Sequence, residues 1–244
     1  MIGVAYRTPE VAREFCWRWR NERCVSRVDV IECTDDPGGS DGSEIDNCRW
    51  HIVHNSGYGN ALNFGLTLAG KETVTDFDYI LIGNVDVFPV TLSPTRVDDH
   101  EVPMLKVNEA GRERNPFLTY LQSRFLWTMR PFLLLNRPGL VTAHIAIIKL
   151  LGLVPSRPWS CHGSMFCFTK QLLRSCDRPF NRASMLYCEE LFYGAALGRA
   201  GIRLVPSEMV VEHIGGVSTG PVVQGKRERF FEFWKRSAAE FLGR

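Results

Sequence analysis

Over the first third of the chain, short apolar runs alternate with amphipathic segments. Ile2-Gly3-Val4-Ala5-Tyr6 is apolar throughout and gives way to Thr8-Pro9, a pair suited to a helix N-cap and first turn; Val11, Phe15 and Trp19 then recur at helical spacing. The pattern predicts strand, turn and helix. A second strand is predicted over 28–33, running into Asp35-Asp36-Pro37-Gly38-Gly39-Ser40-Asp41-Gly42, whose composition allows only a loop. A third over 50–54 feeds Asn55-Ser56-Gly57-Tyr58-Gly59-Asn60, and a helix over 61–69 follows with Leu62, Leu66 and Ala69 on one face. The fourth strand, over 79–83, is apolar at every position and ends at Asn84-Val85-Asp86.

The second half is less regular. Strands are predicted over 102–107, 164–169, 202–205 and 210–213, and a helix over 189–200 stops at Gly201, a residue suited to a left-handed C-cap. A last helix over 225–242 carries Phe230, Trp234, Ala238 and Phe241 on one stripe and basic residues opposite. Strands alternating with helices at this spacing imply an α/β domain with a mostly parallel central sheet and helices on both faces. Ligands of such sheets bind beyond the carboxyl ends of the strands, where the Asp35-Asp36 loop, the 55–60 loop and Asp86 all fall.

Composition adds three constraints. At 244 residues and 45% hydrophobic content, the chain is long enough for one domain with a sizeable core. Its formal charge of +2 is unevenly spread: 28–46 holds seven acidic residues and no Lys or Arg, whereas 105–160 is rich in Arg and Lys with only Glu109 and Glu113 against them. The eight cysteines form no C-x-x-C pair and several lie in apolar runs, so with no signal-peptide pattern they are expected to be reduced core thiols of a cytoplasmic protein. Their spacings do not resemble zinc ligand pairs. No stretch has the uninterrupted apolar length of a membrane span, since Pro131, Arg137, Pro138 and His144 break the best candidate.

Four polar clusters then stand out in order: the acidic loop, Asn84-Val85-Asp86, Glu189-Glu190 and His213. Together they supply what a nucleotide diphosphate-sugar site needs. A carboxylate at a strand end, Asp86, can hold a divalent cation that neutralises two phosphates, although a turn Asp occupies such places equally well. His213 also falls at a strand end, and a lone His is more often structural than a ligand. Glu189-Glu190 opens a helix, where the dipole alone favours acidic residues; as a general base only one of them can face the substrate, because adjacent helical side chains diverge by about 100°. Asp36 and Asp41 suit Asx turns, or recognition of a pyrimidine N–H.

These residues resemble a family 2 glycosyltransferase of the GT-A fold, of the bacterial surface-polysaccharide, rhamnosyltransferase-like type. The resemblance rests on Ala5-Tyr6-Arg7, Ser40-Asp41-Gly42, Asn55-x-Gly57-Tyr58-Gly59-x-Ala61-x-Asn63-x-Gly65, Asn84-Val85-Asp86, Gly163-Ser164, Glu189-Glu190 with Gly201, and His213 with Ser218. It covers nearly the whole chain except 105–160. It implies a GT-A nucleotide-diphospho-sugar transferase fold and inverting transfer of a sugar to a hydroxyl of a growing surface glycan, polysaccharide, O-antigen or lipid-linked acceptor. By the same resemblance, Mg²⁺ or Mn²⁺ binds Asp86 and His213, and Glu189 or Glu190 is the base. Tyr6, Asp36, Asn55, Gly57, Asn63 and Asn84 line the nucleotide of a UDP or dTDP type donor. Asn84 replaces the first Asp of the usual metal motif, Glu-Glu replaces Glu-Asp, and Arg7 replaces a small polar residue.

The division expected is a nucleotide-binding half over 1–98, an acceptor half over 99–224 with a basic apolar helical insert over 116–155, and a C-terminal amphipathic helix over 225–244. The insert mixes Phe117, Trp127 and Phe132 with Arg124, Arg130 and Arg137. It suits either packing on the core or a peripheral position on the inner face of the cytoplasmic membrane, where each cation near anionic headgroups contributes about 1 kcal/mol. Nucleic acid is not expected, because no recognition motif accompanies the basic residues. Two rival readings are a sugar-phosphate nucleotidyltransferase, which would carry a Gly-rich basic loop missing after Tyr6, and a degenerate membrane-associated scaffold, which would have lost the carboxylates present here.

Overall fold

A computed structural model of the chain describes residues 1–35, 48–71, 79–93, 96–113, 158–180, 189–215, 237 and 239–241. The predicted insert over 116–155, most of the last helix, Asp36 and Asp41 lie outside the described residues. In chain order the elements are β1 (Ile2–Tyr6), α1 (Pro9–Arg20), β2 (Val28–Thr34), β3 (Cys48–His54), α2 (Tyr58–Lys71), β4 (Ile80–Asn84), β5 (Val87–Thr91), β6 (Glu101–Glu109), β7 (Arg112–Glu113), β8 (Met165–Phe168), α3 (Lys170–Ser175), α4 (Glu189–Ala200) and β9 (Arg203–His213).

The fold is α/β with two mixed sheets. The first has the order β3-β2-β1-β4-β8 and the second β5-β9-β6-β7. In the first, β1 to β4 run parallel and β8 is antiparallel to β4. The second pairs β9 antiparallel to β5 and parallel to β6. A mostly parallel arrangement therefore holds for β1 to β4 and not for the structure as a whole.

Helices α1 and α2 cover opposite faces of the first sheet, as neighbouring residues of β1 show. A Cβ at Gly3 would meet Phe15 of α1 at 2.5 Å, while the next residue along, Ile2, has its Cγ2 3.0 Å from a Cβ placed on Gly65 of α2. Successive strand residues point to opposite faces, so the two helices do as well. Phe15 and Trp19 are fully buried, each such side chain stabilising by roughly 1.5–3 kcal/mol, and Trp19 Nε1 donates to the Val87 carbonyl at 2.9 Å. That bond joins α1 to the start of the second sheet.

Several local expectations needed adjustment. Thr8 precedes α1 and Pro9 opens it, but the Thr8 hydroxyl makes no capping bond; only its carbonyl takes part, accepting from Ala12 N–H at 3.0 Å. The strands predicted over 202–205 and 210–213 are one strand, β9, whose register against β6 shifts between Met104 and Lys106. Ser207 bridges the irregularity, its hydroxyl donating to the Met104 carbonyl and accepting from Met209 N–H. Pro206 is tolerated because β5 pairs only with 210–213, leaving that part of β9 with β6 alone as a neighbour. Strand β5 was not predicted, since Pro89 interrupts a short run; it lies at a sheet edge, where Pro is allowed. Helix α3 was also missed and is capped by the Thr169 hydroxyl, which accepts from Leu172 N–H at 3.3 Å.

Helix α4 stops at Gly201, whose φ of +66° gives the expected left-handed cap. Its Tyr193 enters a ring cluster with Phe166, Phe168 and Phe180, centroids 4.8–6.0 Å apart, and donates its hydroxyl to the Cys167 carbonyl. Phe241 meets Phe192 of α4 edge-on at 5.3 Å. The seven described cysteines are unbridged, five of them buried. Among the described residues, no helix is long and apolar enough to cross a membrane.

Asn63 serves this architecture. It is buried on α2, donates through Nδ2 to the Phe180 carbonyl at 2.8 Å and accepts at Oδ1 from Phe180 N–H at 3.1 Å. Asn63→Leu strands both backbone groups, so it is expected to lower stability by at least about 2 kcal/mol in urea denaturation. Unchanged stability would show that these bonds contribute nothing.

Candidate functional site

The carboxyl edge of the first sheet gathers its first group of polar side chains by register. Tyr6 ends β1 beside Cys33, and Cys33 lies beside Val53 of β3, so the residues following β2 and β3 emerge on the same rim as Tyr6. There Asp35 accepts from Tyr6 Oη at 3.0 Å, from Arg7 Nη2 at 2.5 Å and from Asn55 Nδ2 at 3.0 Å. Those bonds, that of Asn55 foremost, hold the Asp35 carboxyl below its usual range, while burial and the bond to Asp35 push the Tyr6 phenol up. Asn55 Oδ1 also takes Gly57 N–H at 3.4 Å, and the Gly57 carbonyl accepts from Ala61 N–H to start α2. The result is an exposed, fixed negative charge at the sheet rim.

A second group forms where the chain leaves the first sheet for the second. Asn84 ends β4 and Val87 begins β5, so Asp86 sits at the crossing. Strand β9 ends beside it, because His213 is the register partner of Val87 and Ile214 N–H donates to the Asp86 carbonyl at 3.0 Å. This brings His213 Nε2 to 3.4 Å from Asp86 Oδ1, and Glu109, at the end of β6, to 3.7 Å from His213 Nδ1.

Two buried carboxylates, Asp29 in a strand and Asp86 between two strands, differ sharply in how they are satisfied. Asp29 of β2 binds Arg27 at 2.6 Å and His51 at 3.0 Å; burial pushes its carboxyl up, but those bonds outweigh burial and hold it below the usual value. Asp86 is 1% exposed, and neither its Oδ1 nor His213 Nδ1 has a hydrogen-bond partner. Buried polar atoms are nearly always bonded, so each side of this pair has unmet capacity: Asp86 Oδ1 on the side facing His213 Nε2, and His213 Nδ1 on the side facing Glu109.

The opposite wall is the segment 162–164 with the start of α4. Ser164 carbonyl accepts from Asn84 N–H at 2.9 Å, which fixes the segment to the end of β4. His162 Nδ1 lies 2.8 Å from Ser164 Oγ and 3.3 Å from Ser164 N–H, and its ring lies 5.6 Å from the His213 ring. Ser160 Oγ donates to the Glu190 carbonyl at 2.5 Å, and a Cβ on Gly163 would lie 2.8 Å from Glu190 Oε2. The Glu190 carboxylate thus rests against Gly163, and burial pushes it above the ordinary glutamate value. Glu189 is more deeply buried, at 2% exposure. The Tyr58 hydroxyl, at the start of α2, is buried without a partner, and burial followed by the charges of Glu189 and Asp86 raises it.

The structure therefore pairs Asp86 with His213, places Glu190 against Gly163 in the segment whose His162 ring meets that of His213, and sets Tyr6, Asn55 and Gly57 on a neighbouring rim. Asn84 ties that segment to the end of β4 through its main chain. Asn63 departs from its predicted place: its side chain is spent on the Phe180 backbone and does not line the rim. Asp36 lies outside the described residues, and the carboxylate knitted into the rim is its neighbour Asp35. Sequence reasoning passed over Glu109 and His162 as site residues, and had Tyr58 only as part of the 55–65 pattern. His162 had a signal, since it directly precedes the Gly163-Ser164 pair. Among the described residues no group of three or more His, Cys, Asp or Glu side chains is placed to hold a metal unaided. No protein-family model matches the chain, and no curated protein matches it.

An unsatisfied buried carboxylate oxygen is a stability cost. Without divalent cations, Asp86→Asn is expected to leave the thermal midpoint unchanged or to stabilise by on the order of 1 kcal/mol. A clear loss of stability would make Asp86 a structural residue.

Proposed function

We propose that the chain is an inverting glycosyltransferase of the GT-A type, moving a sugar from a nucleotide diphosphate-sugar to a hydroxyl of a surface glycan or lipid-linked acceptor. The observation that carries this reading is the Asp86–His213 pair, with its buried unpartnered carboxylate oxygen, beside the 162–164 segment that backs a Glu190 carboxyl raised by burial, at the carboxyl end of an α/β sheet.

Asp86 and His213 suit Mg²⁺ or Mn²⁺ on the chemistry of the donor set: a buried carboxylate oxygen without a hydrogen-bond partner, Asp86 Oδ1, and the imidazole Nε2 that faces it at 3.4 Å. Two protein ligands are enough where substrate phosphates complete the coordination, in keeping with the lack of a third ligating side chain among the described residues. When bound, the cation neutralises the charge that develops on the departing diphosphate.

This chain's own residues do the rest. The rim of Tyr6, Asp35 and Asn55 presents an ionised acceptor to the N–H of a pyrimidine, in keeping with a UDP or dTDP donor. Arg7 helps hold Asp35 in place. Glu190 takes the proton of the acceptor hydroxyl as its oxygen bonds to the anomeric carbon and the bond to the diphosphate oxygen breaks. A single displacement inverts the configuration. Glu190 is favoured over Glu189 because it is less buried, and its raised proton affinity suits a base working near neutrality. The halves 1–98 and 99–224 then correspond to donor and acceptor sides, acting at the cytoplasmic face of the membrane.

Glu190→Gln is expected to lower kcat by about 10²–10⁴-fold, and Glu189→Gln by much less. A base must lose its proton to work, so activity should fall with decreasing pH through an inflection lying above the ordinary glutamate value of about 4.3. Full turnover in the Glu190→Gln protein would remove Glu190 from the mechanism.

A further inference from the structure

The His213 imidazole stands between two carboxylates. Its Nε2 faces Asp86 Oδ1 at 3.4 Å and its Nδ1 faces Glu109 Oε1 at 3.7 Å, the latter a few tenths of an ångström beyond an N–H···O bond. Nδ1 is buried and lacks a hydrogen-bond partner, and Glu109 Oε1 is the carboxylate oxygen that faces it. The backbone makes room for this approach. Gly215 has φ +76°, and a Cβ there would lie 2.5 Å from Glu109 Oε1 and 3.8 Å from His213 Cε1. A residue with no side chain, in a conformation that favours glycine, thus leaves the Glu109 carboxylate its place beside the ring.

A neutral imidazole has one N–H, and the two carboxylates compete for it. On Nε2 it would point at Asp86 and close that pair to a cation; on Nδ1 it points at Glu109 and leaves the Nε2 lone pair beside Asp86. Ligating histidines characteristically give their second N–H to a carboxylate, carbonyl or water, which fixes the tautomer and makes the ligand more basic.

Resting on the reading of Asp86 and His213 as cation ligands, we propose that Glu109 is a positioning residue: it accepts the Nδ1–H of His213 and thereby fixes the tautomer that presents Nε2 to Mg²⁺ or Mn²⁺. Glu109 touches neither sugar nor phosphate in this role. It acts through the ring alone.

The test compares wild type, Glu109→Ala, Glu109→Gln and Asp86→Ala by Mn²⁺ affinity in the presence of UDP, read by electron paramagnetic resonance, with metal-free UDP affinity measured alongside. Glu109 is part-exposed at a strand end, and the Gln variant keeps its shape, so folding is preserved in at least one of the two. Mn²⁺ affinity is expected to fall about 10–100-fold in Glu109→Ala and less in Glu109→Gln, with metal-free UDP affinity unchanged. Nitrogen-15 spectra of the imidazole should show the Nδ1–H tautomer of His213 in wild type and a shift toward Nε2–H in Glu109→Ala. Unaltered Mn²⁺ affinity and tautomer in the Glu109 variants overturn the positioning role and leave the ligand assignment standing, as does an equal loss of metal-free UDP affinity. Wild type without Mn²⁺ affinity, or Asp86→Ala as tight as wild type, overturns the ligand assignment and this role with it.

Discussion

The crossing at Val85-Asp86, where the backbone leaves one sheet and enters another, is the constraint on which the rest of the site depends. Val85 is fully buried and its N–H bonds the Val4 carbonyl, holding the end of β4 in the first sheet. One residue later the Asp86 carbonyl accepts from Ile214 N–H, and Val87 pairs with His213 in the second sheet. Asp86 therefore has its backbone engaged while its side chain is turned into the space between the sheets' ends. The same register delivers His213, and the Asn84 to Ser164 bond delivers the segment that carries His162 and supports Glu190. Three remote parts of the chain converge because two sheets share one strand-to-strand passage.

Electrostatics then separates carboxylates that a sequence presents as alike. Asp29 is buried and paired with a guanidinium and an imidazole, so it stabilises the fold. Asp35 is exposed and held ionised by three donors at the sheet rim. Asp86 is buried with an oxygen unbonded, and Glu190 is raised by burial against Gly163. Fixed charge, an unpartnered oxygen and raised proton affinity are different states, and each follows from what surrounds the group.

Much of the fold was legible because apolar runs with period-two or helical spacing are strong signals: β1 to β4, α1, α2 and α4 lie where the sequence places them, within the usual drift of boundaries. What escaped notice was short or broken by Pro, such as β5 with Pro89, or split by an irregularity, such as β9 at Pro206. In the candidate site, the strand-end positions of Asp86 and His213 were legible. The site was obscure where the decisive fact is contact between distant segments. Nothing in the local sequence shows that Asn63 is spent on Phe180, 117 positions away, or that Glu109 faces His213. Between Asp35 and Asp36, adjacency gave no basis for choosing, because only the exact end of β2 decides which carboxylate meets Tyr6 and Asn55.

The central claim is that the two groups at the carboxyl edge form one site, a nucleoside rim beside a cation and diphosphate position. Thermal unfolding of wild type and Asp86→Ala with UDP, dTDP, GDP and CMP, each with and without Mn²⁺, addresses it most directly. A pyrimidine nucleoside diphosphate at about 100 times its dissociation constant should stabilise the wild type by about 2.7 kcal/mol with Mn²⁺ present, with the Mn²⁺-dependent part lost in Asp86→Ala. No stabilisation by any nucleotide, or stabilisation indifferent to both Mn²⁺ and Asp86, would contradict the account.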